Sequence, residues 1–281
     1  MLNPTITKKI EDFVYAKPRS IQEIASYINK SWRTADRYIQ EIEKEYGTIT
    51  TRVFREGTRG ALKIVYWASI EKIKGSIFQE KLTKEIETFK KKEDFSAFDI
   101  YQHVSDKNKI ASLNQTEQEA KTNLDELKYY LEKTQKQLLV LSGNLSWINL
   151  KNNKVNVFSI IENLVKKNIS IKIICRVDLA SMENIEQILS LNFKYGKELI
   201  EIRHSTQPLR ALVIDNKLIR LKEIKEPTDK IHELSKRLFI FYTIKDKGWV
   251  EWLTRIFWKM FSNSIDARKR IEELKKLKSK K

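Results

Sequence analysis

The chain is short of the residues that most often carry chemistry on their own. Its 281 residues include one cysteine, three histidines and seven glycines. A single cysteine, Cys175, excludes a disulfide within the chain and fits a reducing, cytoplasmic compartment. It lies in IKIICRV, an apolar run with strand character, where a small buried hydrophobe is expected rather than a reactive thiol. Seven glycines are too few for a Gly-rich phosphate loop, and His103 and His232 have no motif around them. Neither a metal site nor a cofactor is therefore expected. Long hydrophobic runs are also missing, since no stretch of about 18 uncharged apolar residues occurs. The most apolar C-terminal piece, WVEWLTRIFWKMF, is interrupted by Glu251, Arg255 and Lys259. The opening MLNPTITKKIEDF carries acids and no long apolar core, so no signal peptide and no membrane partner are expected.

Acids are the remaining shortfall. Lysine and arginine number 54 against 37 acids, a net charge of +17 spread along the whole chain. Such an excess attracts polyanions, of which nucleic acid and anionic membrane surfaces are the common ones. A Lys/Glu-rich surface suited to high temperature would account for many charges of both signs, but less well for the imbalance. Hydrophobic residues make up 41% of the chain, enough for a packed core, and the length admits two ordinary domains.

The first 70 residues read as three short helices and a hairpin. TITKKIEDFVYAK puts Ile6, Ile10, Phe13 and Val14 on one face, and Pro18 ends it. SIQEIASYIN follows, with Ser20 and Glu23 at capping-box spacing and Ile21, Ile24, Ala25 and Ile28 as its stripe. After a tight turn, SWRTADRYIQEIEKEYG repeats Ala35, Ile39, Ile42 and Tyr46 at helical spacing, with Gly47 as a stop. Then TITTRVF and ALKIVYW, joined by REGTRG, form a hairpin with Arg55 and Arg59 at its tip. This order resembles the winged helix-turn-helix domains of prokaryotic transcription regulators. In that fold class the N-terminal part of the third helix enters the major groove. Its outward face carries Arg33, Thr34, Arg37, Gln40 and Lys44. Arg33 and Thr34 are candidates for base edges, Arg37 and Tyr38 for phosphate, and Arg55 and Arg59 for the backbone or adjacent minor groove.

Residues 71–135 read as a charged helical linker. Leu82, Ile86 and Phe89 make one stripe; KKKEDFSAFDIYQHVSDKNKIASLNQ loses helical periodicity and is expected to break or loop. Helix resumes at TEQEAKTNLDELKYYLEKTQKQ, where Ala120, Leu124, Leu127, Leu131, Thr134 and Leu138 form a seam. That seam can pair two copies or dock on the following domain.

The C-terminal half alternates strands and helices, and a mixed α/β architecture is expected. The succession LLVLSGNLS, NLVKKNISIKIICRVD, LIEIRHSTQPLRALVIDNKLIRLKE resembles the phospholipase D-like fold. FYTIKDKGWVEWLTRIFWKMF is similar to the end of that domain behind a winged helix in TrmB-like archaeal regulators. The resemblance covers about residues 1–70 and 136–262. It implies a winged helix-turn-helix, a helical linker and a phospholipase D-like domain; the basic tail, 263–281, is expected from its charge to fray into solvent. Trp252 and Trp258 lie off the main stripe of the last apolar helix, as a subunit contact would.

Active phospholipase D relatives use H-x-K-x-x-x-x-D, in which histidine attacks phosphorus and lysine holds the phosphate. In QPLRALVID, Pro208 falls at the nucleophile, Arg210 at the lysine and Asp215 at the aspartate. Proline has no nucleophilic group, which excludes covalent catalysis of that type, and His204 is four residues too early. Arg210, Arg203 and Arg176 are left as candidate anion ligands, or as members of surface salt bridges. Asp215 can equally be a turn residue beside Asn216. The resemblance then implies a dimeric, sequence-specific regulator of double-stranded DNA, not an enzyme, with an unidentified effector. The alternatives are a non-regulatory DNA-binding accessory protein, or a phosphodiesterase or nuclease.

Overall fold

The computed structural model describes residues 4–55, 61–67, 75–115, 124–227 and 236–278. The head comprises α1 (Pro4–Ala16), a two-residue strand β1 (Arg19–Ser20), α2 (Ile21–Tyr27), α3 (Trp32–Glu45) and the hairpin β2 (Ile49–Arg55) and β3 (Ala61–Trp67). Ser20 and Glu23 close the expected capping box, and Ser31 caps α3 through the Thr34 amide. Ile10, Val14, Ile24, Ala35, Ile39, Ile42 and Val65 fill a core of their own. Tyr46 does not join them. It is the residue at which α3 ends, and it is 55% exposed. β1 pairs with β3, so the wing is a three-stranded sheet in the order β1-β3-β2.

The body is one eight-stranded mixed sheet. Its strands are β4 (Lys109–Gln115), β5 (Gln137–Leu141), β6 (Ser170–Cys175), β7 (Ile200–His204), β8 (Ala211–Ile214), β9 (Leu218–Lys225), β10 (Leu238–Ile244) and β11 (Ile265–Asp266). Their order is β11-β7-β6-β5-β8-β9-β10-β4, with β5, β6 and β7 parallel and the other pairs antiparallel. Both faces are covered, so the central strands read as nearly unbroken apolar runs. On β5, Leu138 and Val140 enter one core while Leu139 and Leu141 enter the other. The first core holds α6 (Leu124–Glu132), α7 (Val157–Lys166), α8 (Met182–Tyr195) and α10 (Ala267–Lys278). The second holds α4 (Gly75–Thr88), α5 (Phe98–Tyr101) and α9 (Lys247–Ser262).

Four expectations are corrected. Residues 71–135 are not a purely helical linker, because KIASLNQ is the edge strand β4, paired along its length with β10. The leucine seam is no dimer interface: Leu124, Leu131 and Leu138 are buried in the body's own core, and Leu127 packs against it. Ala120, the first residue of that seam, lies outside the described residues. The basic tail does not fray at Ser264. β11 pairs with β7, and Ala267 and Ile271 anchor α10 in the core at 1% and 5% exposure. Trp252 is likewise no subunit contact, since it is buried and its indole N–H donates to Gln79 O and Thr83 Oγ1 on α4.

The wing hairpin is apolar on both faces and sits between the head and the body. Ile49 and Val65 point into the head core, whereas Phe54, Leu62 and Ile64 enter the body core. The Phe54 ring lies 6.0–6.3 Å from those of Phe98, Tyr101 and Tyr242. Swinging the head away would expose these three side chains, at about 1.5–3 kcal/mol each. A polar cluster fastens the same junction. Lys225 Nζ lies 3.1 Å from Glu223 Oε1 and 3.5 Å from Glu23 Oε2 of the head. Ser96 Oγ and the Phe98 amide donate to Glu223, and Lys17 donates to the Glu93 carbonyl. Burial works against the Glu23 carboxylate, but Lys225, the Ser20 bonds and Arg19 outweigh it and hold its pKa below the usual range. Burial also works against the Lys225 ammonium, yet Glu223 and Glu23 raise its pKa. Both partners are therefore held ionised.

Candidate nucleic-acid interface

α3 is amphipathic because its apolar residues fall at steps of three and four, and the same spacing sorts the opposite face. Arg33, Arg37, Gln40 and Lys44 also recur at steps of four, three and four, and all four are exposed in the whole chain, body included. They form one stripe along a helix of about 21 Å, at 1.5 Å per residue. Arg37 makes only a loose pair with Glu41, 3.9 Å away on an exposed surface. Gln40 donates to Asp36 at 2.9 Å, and Lys63 of the wing neutralises Asp36 from the other side at 2.7 Å. That pair ties α3 to the wing and neutralises Asp36 beside the basic stripe. Sequence reading missed it, because Asp36 and Lys63 stand 27 residues apart.

The remaining candidates are placed less favourably. The Thr34 hydroxyl lies 3.0 Å from Ser31 Oγ within the helix cap, so base contact would compete with capping. Tyr38 is half-buried against the head core, with the Arg37 guanidinium 5.6 Å from its ring centre. Its ring therefore packs rather than projecting. Arg55 ends β2, and Arg59 lies outside the described residues. Phe54 and Leu62, which flank that tip, are buried against the body.

The second candidate site does not assemble as the motif implies. Pro208 is buried, held in a turn where Gln207 Nε2 donates to Ser142 O and Gln207 Oε1 accepts from the Leu209 amide. Arg210 folds back over Gly143; a Cβ there would come within 2.6 Å of its Nη2. Asp215 lies at the other end of β8. It has a left-handed φ of +52°, and Asn216 has +54°. The β8–β9 connection is thus the three residues 215–217, closed by the Lys217 amide donating to the Ile214 carbonyl across the two left-handed positions, so Asp215 is the turn residue that the sequence allowed. The Asp215 carboxylate accepts the amides of Gln135, Lys136 and Gln137 at 2.8–3.0 Å and so anchors the start of β5. It holds backbone and does not meet Arg210.

The other basic candidates divide. Arg203 is engaged by Glu201 at 2.8 Å and the Ser264 carbonyl, with Phe261 under its guanidinium. Arg176 pairs with Asp178 at 2.6 Å but faces the same hollow as Arg210. His204 Nδ1 accepts the Val177 amide, and burial lowers its pKa. Burial pushes the Cys175 thiol up to about 12, so it remains protonated at neutral pH. Among the described residues no helix is long and apolar enough to cross a membrane, and no group of three or more His, Cys, Asp or Glu could hold a metal ion.

No family profile and no curated protein matches the sequence. Solved structures do resemble it in shape. Nuc from Salmonella typhimurium, a phospholipase D family member, aligns at 9% identity over 56% of this chain and 97% of its own, with a TM-score of 0.41. NucT from Helicobacter pylori aligns at 12% identity over 56% of this chain and 99% of its own, with a TM-score of 0.39. TrmBL2, described as an archaeal chromatin protein with a novel mode of DNA binding, aligns at 14% identity over 94% of each chain, with a TM-score of 0.37.

Proposed function

We propose that this protein binds double-stranded DNA through α3 and acts as a homodimeric, sequence-specific transcription regulator of the TrmB-like kind, in the cytoplasm. The observation that carries this reading is the stripe Arg33–Arg37–Gln40–Lys44, which stays exposed although the head is docked on the body. Arginine near the start of such a helix reads guanine by two parallel hydrogen bonds. The net charge of +17 supplies the nonspecific attraction that precedes reading. Because the leucine seam is buried, the dimer must form through another surface.

The body, in this reading, is a phospholipase D-like domain without catalysis. Buried Pro208 offers no lone pair to attack phosphorus, and Asp215 is committed to three backbone amides. An activated phosphodiester such as bis-nitrophenyl phosphate should not be hydrolysed above background; turnover abolished by Arg210→Ala would reverse this reading. DNA binding is tested with a fluorescent duplex titrated over a range of salt. Arg33→Ala should cost about 1–3 kcal/mol on a preferred sequence and much less on random DNA. Equal losses on both would leave a non-regulatory accessory binder.

A further inference from the structure

On α1, Thr7, Glu11 and Tyr15 fall at steps of four and so stack on one face, with Lys8 and Asp12 in the row beside them. Ile10 and Val14 bury the helix in the head core, against residues of α3 and β3. That packing brings Tyr46, where α3 ends, and Trp67, the last residue of β3, to the same side. Together these residues line a hollow of about 510 Å³, within the range usual for small-molecule sites.

Aromatic rings and acids share its walls. Tyr15 and Tyr46 are 62% and 55% exposed, and the Tyr15 ring meets that of half-buried Trp67 edge-on, at 5.1 Å and 85°. Rings of this kind attract cations, and the Lys81 ammonium, paired with Glu85, lies 5.7 Å from the Tyr15 ring centre. Two carboxylates stand against one lysine, so the hollow is acidic in a chain of net charge +17. Glu11 accepts from the neutral Thr48 hydroxyl at 2.5 Å and keeps its charge. Among the described residues Asp12 makes no hydrogen bond or ion pair, not even with Lys8 one turn before it. The hydroxyl of Thr7, a residue 7% exposed, has no partner either. A hydrated metal ion would use the carboxylates and leave the rings uncovered. A neutral apolar molecule would cover the rings but strip water from the carboxylates. An ammonium on a carbon stem meets both demands.

We propose that this hollow binds a small organic ammonium cation with an aliphatic stem, of the alkyl diamine class. Its N–H groups donate to Glu11 and Asp12, and its methylenes lie against Tyr15, Tyr46 and Trp67. The Thr7 hydroxyl supplies a further acceptor at the wall. None of these residues belongs to the basic stripe of α3, so ligand binding does not depend on DNA binding.

Calorimetric titration of the full-length, nucleic-acid-free protein at constant ionic strength tests this. The probe is 1,4-diaminobutane, with magnesium chloride and 1,4-butanediol as comparators. The diamine should bind saturably, with each comparator weaker by about tenfold or more. Magnesium matching it would leave a site for charge alone and refute the aromatic walls; butanediol matching it would refute the carboxylates. Asp12→Asn should lower affinity about tenfold and Tyr46→Leu about fivefold, whereas Tyr46→Phe, which keeps the ring, should bind like the parent. Both positions are exposed, so the melting temperature should hardly change in any of the three. Arg33→Ala should bind the probe like the parent, so failure of the DNA reading and failure of this one are told apart. No saturable binding of the diamine by about 10 mM, or unchanged affinity in Asp12→Asn, overturns the proposal. So does capture of a lysine-bearing peptide without binding of the diamine, which would make the hollow a docking point for protein.

Discussion

Replacing Lys225 with methionine should loosen the head from the body, and the size of the effect follows from the cluster around it. The ammonium is 15% exposed and bridges Glu223, 10% exposed, to Glu23, 32% exposed. Removing one partner of a fully buried ion pair costs about 3–5 kcal/mol, because the other charge is left unpaired. Glu23 keeps Arg19 and the Ser20 bonds, and Glu223 keeps Ser96 Oγ and the Phe98 amide. The expected loss is therefore smaller, about 2–3 kcal/mol. Methionine preserves most of the aliphatic stem, so little of it reflects lost packing. Urea unfolding followed by circular dichroism and tryptophan fluorescence reads the total. A double-mutant cycle with Glu23→Gln isolates the part that crosses between head and body, expected at about 1 kcal/mol or more. A coupling below about 0.3 kcal/mol would mean an ordinary surface pair, and the rigid junction would then rest on the wing's apolar contacts alone.

Further expectations concern pH, a turn, a thiol and the wing. The depressed Glu23 pKa contributes stability that is present above the ordinary glutamate range and lost as pH falls through its folded value. The raised Lys225 pKa contributes stability lost as pH climbs through its folded value, so the parent should lose stability at both limits and Lys225→Met less steeply. Asp215→Ala leaves three backbone amides without their acceptor and keeps a left-handed φ; about 2–4 kcal/mol should be lost in thermal unfolding, and a loss under about 1 kcal/mol would deny its anchoring role. Cys175, buried with its thiol protonated, should react with a maleimide only at the rate of unfolding; quick labelling of the native protein would show that β6 opens locally. Phe54→Ala should cost about 3–5 kcal/mol if the wing is part of the body core, and under about 1 kcal/mol if it swings free.

The head was legible because its signals are local. Ser20 with Glu23, Ser31 before α3, and Ala35, Ile39 and Ile42 at helical spacing each depend on neighbours within four residues. The central strands were legible because burial on both faces leaves runs such as LLVL and IKIIC. What the chain hides is long-range. β4 alternates Ile110, Ser112 and Asn114 with Ala111 and Leu113, and a lone edge strand that polar looks like a loop until β10 lies beside it. α10 carries mostly charge and is held by few buried side chains, so composition alone describes a frayed tail. The wing did carry an unused signal: Ile64 and Val65 are adjacent and both buried, which a strand allows only when each face is covered. Its partner, Glu23 with Lys225, spans 202 residues and leaves no local trace. In QPLRALVID, the lack of a nucleophilic group at Pro208 is plain from the residue itself, but the anchoring duty of Asp215 needed Gln135–Gln137 to be seen beside it.

The central claim is that α3 reads duplex DNA, and selection from a random duplex library at two salt concentrations tests it most directly. The parent protein and the Arg33→Ala, Arg37→Ala double variant should be run side by side. The account predicts that the parent enriches two half-sites about 10 base pairs apart, and that the double variant loses the enrichment while keeping salt-sensitive binding. The same weak, unselective binding from both proteins would contradict it.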